Sequence, residues 1–317
     1  MARSRRGRGR AIDGILVLDK PEGPTSNQAL QSVKRLFDAA KAGHTGSLDP
    51  LATGVLPICF GEATKFTQYL LEADKVYTAT FRFGVTTTTG DAQGEVLERC
   101  PADGLSARAV EQAVADFRGT IAQIPSMYSA LKQGGRPLYE LARQGVEVER
   151  APRQVQIYEF RIDGFRGGEY PELDVLIHCS KGTYIRTLAE DLGRALGSGG
   201  HVIRLRRVAS GPFCEADAVS LDHMYSLRES APARALDTLL RPTDAALADR
   251  HPLELTDSLS WYFLRGQPVT VPGVLDAEVG EGDMVRVFRA PGEFLGLGEV
   301  LEDGRIKPHR LVRSAGH

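Results

Sequence analysis

Two kinds of apolar pattern follow one another irregularly along this chain, and together they limit the folds that it can adopt. Strand-like runs alternate with a period of two, as in KVYTATFRFGV at residues 75–85, while other stretches show helical spacing. The patterns at about 153–165 and 172–180 are both strand-like, and a regular βαβ order does not run through the chain. We therefore predict an α+β fold with a mainly antiparallel sheet.

The local patterns also predict individual elements. GILVLDKPEGPTS indicates a strand from Gly14, a Pro/Gly turn, and Thr25 or Ser26 as a helix N-cap. Residues 43–57, rich in Gly and Pro, are predicted to be largely loop. The remaining predictions are helices at 27–40, 63–72 and 106–117, a helix from Thr183 to Gly197, and a strand at 201–209.

The chain is predicted to contain two folded domains. Residues 1–11 are rich in Arg, Gly and Ser and are expected to be a disordered basic arm. A first domain then spans 12–250, and residues 119–153 look like an excursion from its core, with one short helix near Pro137. From about Leu253 the sequence becomes strand-rich, which predicts a small β-barrel-like domain over 251–317.

Composition excludes several classes of protein. Apolar residues make up 42% and charged residues 25%, as in a soluble globular protein, and no apolar run is long enough for a membrane span. The basic N-terminus has no apolar stretch behind it, so we expect no signal peptide and a cytoplasmic protein. The four cysteines form no CxxC pair, which argues against a disulfide framework and against a zinc site.

Charge is distributed unevenly although the net charge is only −2. Residues 1–10 carry five arginines and no acid, and residues 176–210 carry six cations against two acids, a local balance of +4. Such an excess suits a phosphate-binding surface, but it is equally compatible with a solvated helix face. The arm itself is either a non-specific RNA tether or without function.

Asp49 is the leading candidate for a reactive group. It lies in GHTGSLDPLATGVLP (43–57), where Pro50 disfavours the helical conformation at Asp49 and holds the carboxylate at a sharp bend. On spacing alone, an Asp-Pro turn without a chemical role is the more common case. The surrounding sequence matches no metal, serine-hydrolase or phosphate-loop motif, so covalent or acid–base chemistry on an organic substrate is favoured.

Two further side chains are candidates for the same site. Tyr77 lies on the aromatic face of the 75–85 strand, where it is either a core residue or a platform on which an unstacked base can stack. Arg186 follows the predicted N-cap Thr183, from which it can reach a carboxylate and keep it ionised, or form only a surface salt bridge. In HVIRLRR (201–207), alternation predicts Val202, Arg204 and Arg206 on one face and Ile203, Leu205 and Arg207 on the other.

Five segments together resemble a known family. They are GILVLDKPEGPTS, GHTGSLDPLATGVLPICFGEATKF, DKVYTATFRFGVTTTTGDAQG, SKGTYIRTLAEDLG and HVIRLRRVASGPF. In order and spacing they resemble the bacterial TruB family of tRNA pseudouridine-55 synthases over about residues 12–213. IPSMYSALKQGGRPLYELARQG is similar to the family's inserted element that grips the T-arm of tRNA, with Ser126 where proline is more frequent. The resemblance implies a pseudouridine synthase catalytic domain with an insert at about 124–152, and a PUA-like RNA-binding domain at 251–317.

The resemblance also implies roles for individual residues. Asp49 matches the catalytic aspartate and Arg186 its arginine partner. The substrate-contacting positions match His44, Tyr77, Tyr184 and Leu205, and Tyr77 is expected both to stack on the uracil and to accept the proton from carbon 5. Lys132 and Arg136 in the insert are expected to meet phosphates, and Lys20 to support the active-site loop.

The resemblance implies a monomeric enzyme that isomerises uridine to pseudouridine in the T-loop of tRNA by base flipping. Neither a cofactor nor a metal is needed, because the reaction involves no redox step and no external group. Two alternatives remain: a non-catalytic tRNA-binding or folding factor, and a subunit that depends on a guide RNA. The insert disfavours the guide-RNA alternative.

Overall fold

The computed structural model describes residues 9–129, 131–271 and 279–313, and in these ranges the strands form a large ten-stranded sheet, a smaller five-stranded sheet and two two-stranded sheets. The strands are β1 (Gly14–Lys20), β2 (Ala42–His44), β3 (Thr53–Phe60), β4 (Lys75–Phe83), β5 (Val85–Thr87), β6 (Val96–Arg99), β7 (Gly119–Gln123), β8 (Lys132–Gln133), β9 (Arg136–Pro137), β10 (Arg153–Arg166), β11 (Glu172–Cys179), β12 (Gly200–Ser210), β13 (Phe213–Cys214), β14 (Val219–Ser220), β15 (Pro252–Leu255), β16 (Val269–Thr270), β17 (Met284–Arg289), β18 (Glu293–Val300) and β19 (Arg305–Leu311).

The helices connect and cover these strands. The α-helices are α1 (Ser26–Leu36), α2 (Thr67–Glu72), α3 (Ala107–Ala115), α4 (Leu138–Ala142), α5 (Ile185–Ala195), α6 (Leu221–Ser230) and α7 (Asp257–Phe263). Short 3-10 helices occupy Gly61–Phe66, Glu215–Asp217, Ala233–Leu239 and Thr243–Leu247. In the described part of the chain, no helix is both long enough and apolar enough to cross a membrane.

The large sheet confirms the predicted α+β class with mainly antiparallel pairing. Its order is β14-β1-β3-β12-β4-β11-β10-β7, with β2 beside β3 and β13 beside β12. Of these pairings only β1 with β14 and β3 with β12 are parallel. The smaller sheet has the order β15-β17-β18-β19-β16 and contains the strands predicted after Leu253.

Local sequence explains why these elements begin where they do. The Thr25 hydroxyl accepts the backbone N–H of Gln28 at 3.2 Å, while the Gln28 side chain accepts the Thr25 N–H at 2.8 Å. This reciprocal capping box begins α1 and confirms Thr25 as the N-cap. In β4, Tyr77, Phe81 and Phe83 are buried on one face, as the alternation predicts.

The two faces of the large sheet are covered by different parts of the chain. One face packs against α1, α3 and α5 in a single apolar core. On the other face, Ile15, Val17 and Val55 pack in a cluster that also contains Leu297 of β18. The smaller sheet is therefore joined to the larger one through a shared apolar cluster.

Several predicted boundaries are wrong. Residues 53–57 belong to β3 and residues 42–44 to β2, so the loop of the GHTGSLDP segment covers only 45–52. Likewise, residues 119–123 form β7 at the edge of the large sheet, so the excursion starts after Gln123. Short Gly/Pro-rich strands lack a clear period of two, which is why the pattern predicts loop there.

The faces of β12 are also predicted wrongly. Register shifts between Val202 and Arg204, and again between Arg207 and Ala209, mark irregular positions in its pairing with β4. Across the first shift, Val202 pairs with Phe81 and Leu205 with Ala79. Val202 therefore points into the core with Leu205, and not outward with the arginines.

The predicted basic arm is only partly described. Residues 1–8 lie outside the described residues. Arg10 forms a β-bridge with Ala39 and an ion pair with Asp237, so the predicted disorder does not extend to it.

Candidate active site

A buried cation, Lys20, supports the loop that carries Asp49. Lys20, the last residue of β1, is fully buried, and its ammonium donates to the carbonyls of Ala52 at 2.7 Å, Pro21 at 2.9 Å and Pro50 at 3.4 Å. Burial lowers the pKa of Lys20 to about 8, and the Asp49 carboxylate opposes this shift. The supporting contact expected for Lys20 is therefore present.

A second anchor comes from the start of α1. The Ser26 hydroxyl accepts the backbone N–H of Leu48 at 2.7 Å and contacts the Leu48 carbonyl at 3.0 Å. The Lys20 and Ser26 side chains thus bind backbone atoms on both sides of Asp49, at Leu48, Pro50 and Ala52. The carboxylate is thus presented by a loop whose backbone has fixed partners on each side.

Arg186 and Asp49 form a two-point ion pair. Arg186 Nε lies 2.9 Å from Asp49 Oδ2, and Arg186 Nη2 donates to Asp49 Oδ1 at 3.2 Å. The guanidinium side chain is only 5% exposed, whereas the carboxylate is 36% exposed. A fork of this kind fixes the carboxylate in orientation and still leaves it open on one side.

The other contacts of Arg186 join it to two further segments of the chain. Nη1 donates to the Thr89 carbonyl at 2.7 Å, and Nη2 also donates to the Tyr128 carbonyl at 2.9 Å. Asp91 Oδ2 lies 3.9 Å from Nε, and its side chain is 6% exposed. Asp91 is a site residue that the sequence reasoning missed, because TTTTGDAQG reads only as a polar turn.

The helix that carries Arg186 begins later than predicted. Tyr184 is the N-cap of α5, and Thr183 is not, so Arg186 is the second residue of the helix. Tyr184 provides no side-chain cap of its own. A different side chain, Gln123 of β7, binds its backbone, and local sequence gives no sign of that contact.

Two opposing effects act on the pKa of Asp49. Burial raises the pKa of this carboxyl, and the Arg186 guanidinium lowers it by charge and by hydrogen bonding. Asp91 adds a smaller effect that raises the pKa again. Arg186 thus favours the ionised form that a nucleophile requires.

Tyr77 lies beside a second buried arginine. The residue is 9% exposed, and Arg207, its partner across the β4–β12 pairing, is 1% exposed. Burial raises the pKa of Tyr77, while the charge of Arg207 lowers it. Arg207 also donates to the Val55 carbonyl at 2.7 Å and to the Gly46 carbonyl at 3.3 Å, so it ties β4 to the Asp49 loop.

His44 and Tyr184 each lie near charged side chains of the site, His44 near Arg207 and Tyr184 near Arg186. Burial lowers the pKa of His44, and Arg207 lowers it further. Its buried Nδ1 has no hydrogen-bond partner among the described residues. Burial raises the pKa of Tyr184, and Arg186 and Asp49 act on it in opposite directions.

Leu205 lines a cavity beside the Asp49 loop. The cavity has a volume of about 440 Å³ and is lined by Leu51, Ala79 and Leu205 together with the polar side chains of Thr78 and Thr80, among others. Its volume lies in the range of small-ligand sites. The lining also includes charged side chains such as Asp174 and Arg204, and it includes neither Asp49 nor Tyr77 nor Arg186, so the contact of Leu205 with a base stays a prediction.

Lys132 and Arg136 lie elsewhere. They belong to the exposed two-stranded hairpin of β8 and β9, where Arg136 donates to the Gln144 side chain at 3.1 Å. In the described ranges no contact joins either residue to Asp49 or Arg186. Nor does the described part of the chain contain a group of three or more His, Cys, Asp or Glu that could hold a metal ion.

Family models match most of the chain, from residue 34 to residue 312. Residues 34–185 match the TruB family pseudouridylate synthase N-terminal domain, and 186–248 match the tRNA pseudouridylate synthase B C-terminal domain. Residues 252–312 match the model described as pseudouridine synthase II TruB, C-terminal.

Close relatives and solved structures agree with these matches. The proteins named tRNA pseudouridine synthase B from Saccharophagus degradans and Stutzerimonas stutzeri are each 53% identical, over 96% of this chain and 97% of their own length. A crystal structure of a Cbf5-Nop10-Gar1 complex contains a chain that is 26% identical, with a TM-score of 0.70, over 99% of this chain and 90% of that one. The chain therefore belongs to the TruB family of pseudouridylate synthases.

Proposed function

We propose that the chain isomerises uridine to pseudouridine at position 55 in the T-loop of tRNA, with Asp49 as the nucleophile. The observation that carries this proposal is the two-point ion pair between Arg186 and a partly exposed Asp49 carboxylate. The relatives named tRNA pseudouridine synthase B, at 53% identity, support tRNA as the substrate.

Access to the target base requires base flipping. A uridine in the folded T-loop is stacked, and taking it out costs a few kcal/mol. His44 occupies the vacated space or holds the flipped nucleotide, and it does so as a neutral imidazole because its pKa is lowered. Tyr77 stacks on the uracil, with Tyr184 and Leu205 completing the walls of the site.

The chemistry is an internal rearrangement. Asp49 attacks either the ribose carbon or the base, and the bond between N1 and the ribose breaks with its electron pair going to the base. The base rotates, carbon 5 bonds to the ribose carbon, and the Asp49 carboxylate is released. Carbon 5 loses its proton and N1 gains one, so atoms balance and neither a cofactor nor a metal enters any step.

The role of Tyr77 is mainly that of a stacking platform. A raised pKa keeps the phenol protonated at neutral pH, which disfavours it as the acceptor of the carbon 5 proton. Arg207 offsets this shift in part. Proton removal at carbon 5 by Tyr77 requires the phenolate, which the nearby charge of Arg207 favours.

RNA contacts outside the cleft belong to the insert at 124–152 and to the C-terminal domain at 251–317. Lys132 and Arg136 are exposed on the insert hairpin, and this exposure supports a role in contacting phosphates. We propose that the enzyme works as a cytoplasmic monomer without a guide RNA.

Replacing Asp49 with Asn tests the nucleophile directly. The amide keeps the size of the side chain but cannot act as a carboxylate nucleophile, so we expect no pseudouridine while tRNA binding persists. Pseudouridine formation at the wild-type rate would refute the nucleophile. If wild-type protein bound tRNA but formed no pseudouridine, a non-catalytic tRNA-binding factor would be the correct reading.

The stand-alone mode has a separate test. Purified chain mixed with an unmodified tRNA transcript is expected to form pseudouridine at position 55 with no other RNA present. Dependence of the activity on an added guide RNA would overturn this part of the proposal.

A further inference from the structure

Gln123 binds the backbone of Tyr184 at two points. It is the last residue of β7 and is 1% exposed. Its Oε1 accepts the Tyr184 N–H at 3.0 Å, and its Nε2 donates to the Tyr184 carbonyl at 3.2 Å. Both polar ends of the buried amide are thus used on a single residue that lies 61 positions away.

These bonds occur where α5 needs a cap. The first N–H groups of a helix lack partners within the helix, and a side chain at the N-cap usually supplies one. Tyr184 is the N-cap of α5 but provides no such bond. Gln123 binds the N–H and the carbonyl of Tyr184 itself, and it thereby fixes the residue from which the first turn, with Arg186, begins.

A second link joins the same two segments. Five residues after Gln123, the carbonyl of Tyr128 accepts a hydrogen bond from Arg186 Nη2 at 2.9 Å. The stretch 123–128 is therefore attached to the start of α5 at both ends. The insert at 124–152 departs from this stretch, so its root touches the guanidinium that holds Asp49.

We propose that Gln123 is a positioning residue for the isomerisation, which sets the placement of Arg186 against Asp49 at the root of the insert. This inference rests on the proposed function. Gln123 acts through Tyr184 and Arg186 and does not touch the substrate. Small misplacements of groups near a reacting centre lower rates strongly, so the two bonds bear on turnover more than on tRNA affinity.

Two substitutions separate positioning from simple structural support. Gln123→Met keeps the length of the side chain but removes both hydrogen bonds, and Gln123→Glu keeps the acceptor while losing the donor. Gln156→Met is the control: Gln156 lies on the neighbouring strand β10, and among the described residues its side chain accepts from Thr120, at 2.6 Å. Rate constants under single turnover, tRNA Kd, Tm and the pH profile are measured for each protein.

We expect Gln123→Met to lower the rate constant at saturating enzyme by about tenfold or more, with tRNA Kd within about twofold of wild type. The acid limb of its pH profile moves to higher pH, because a displaced Arg186 opposes the raised pKa of Asp49 less well. Gln123→Glu replaces the donor to the Tyr184 carbonyl with a second acceptor, so we expect its acid limb to move to higher pH as well, and Gln156→Met behaves as wild type.

A wild-type rate constant for Gln123→Met would overturn the inference. So would a rate loss that follows the loss in Tm with no change in the pH profile, since that is the result of structural support alone. If Gln123→Met does not fold, an unshifted acid limb in Gln123→Glu overturns the inference equally. Failure of wild type and of Gln156→Met to form pseudouridine would instead refute the proposed function.

Discussion

At the scale of single residues, the site depends on one charge balance. Asp49 is partly exposed toward the cleft, yet burial raises its pKa and Arg186 must oppose that shift. An isolated surface ion pair is worth little, but this guanidinium is 5% exposed and has four partners. We therefore expect the ion pair between Arg186 and Asp49 to set the pH range over which the enzyme is active.

Arg186→Gln should move the acid limb of the pH–rate profile to higher pH. Removing this cation takes away the largest effect that opposes burial, so the pKa of Asp49 rises further. Because the carboxylate must be ionised, activity is then lost at a higher pH as the solution is acidified. Single-turnover rates between pH 5 and 9 measure the shift.

Arg194→Gln is the control on the same helix. Arg194 forms an exposed ion pair with Asp191, 2.7 Å apart, and does not contact Asp49. The pH–rate profile of Arg194→Gln should match that of wild type. An unshifted acid limb in Arg186→Gln would show that Arg186 does not hold the charge state of Asp49.

At the scale of elements, the close approach of β3 to β12 depends on one glycine. Gly54 has φ +97°, a backbone conformation that residues with a side chain rarely adopt. A Cβ at this position would lie 2.3 Å from the Arg207 carbonyl oxygen. The two residues are paired in the parallel ladder. This approach places the Arg207 side chain between Tyr77 and the Asp49 loop.

Gly54→Ala should destabilise the protein and lower its activity. Strain at this φ together with the backbone clash predicts a loss of about 2 kcal/mol or more in the free energy of unfolding. Urea unfolding measures that loss. Gly167→Ala, where a Cβ meets nothing within 4 Å, is the control and should change stability only slightly. Equal urea-unfolding midpoints for Gly54→Ala and Gly167→Ala would contradict the predicted strain and clash at Gly54.

At the scale of the whole molecule, the two sheets share apolar packing and polar contacts. The rings of Phe66 and Phe294 lie 5.6 Å apart, and Leu297 is fully buried against the large sheet. Lys65 Nζ donates to the Leu311 carbonyl at 2.9 Å, linking the first domain to β19. The smaller sheet therefore completes the core of the larger one.

A chain that ends at residue 250 should be less stable than the full chain. Removing the smaller sheet exposes the apolar cluster around Val17 and Val55, so we expect Tm to fall by at least about 5 °C and the binding of a hydrophobic dye to increase. Thermal unfolding of both chains measures this. An unchanged Tm would mean that the domains are energetically independent.

The sequence by itself determined the local elements and the family. The Thr25 cap, the aromatic face of β4 and the strands after Leu253 follow from period, capping and turn residues, which act over a few positions. The family resemblance is confirmed by the relatives at 53% identity. The predicted element boundaries at 43–57 and 119–123 are wrong, because the strands there carry too few residues to show a period of two.

Only the tertiary structure decided how the site is assembled. Arg186 meets Asp49 across 137 positions, and Gln123 meets Tyr184 across 61. Asp91 joins the same guanidinium from a turn with no distinctive pattern. Periodicity reports which face of an element is apolar, but not which distant element that face will meet. Those partners are selected by long-range packing, and the register shifts in β12 show how one irregular position changes the outcome.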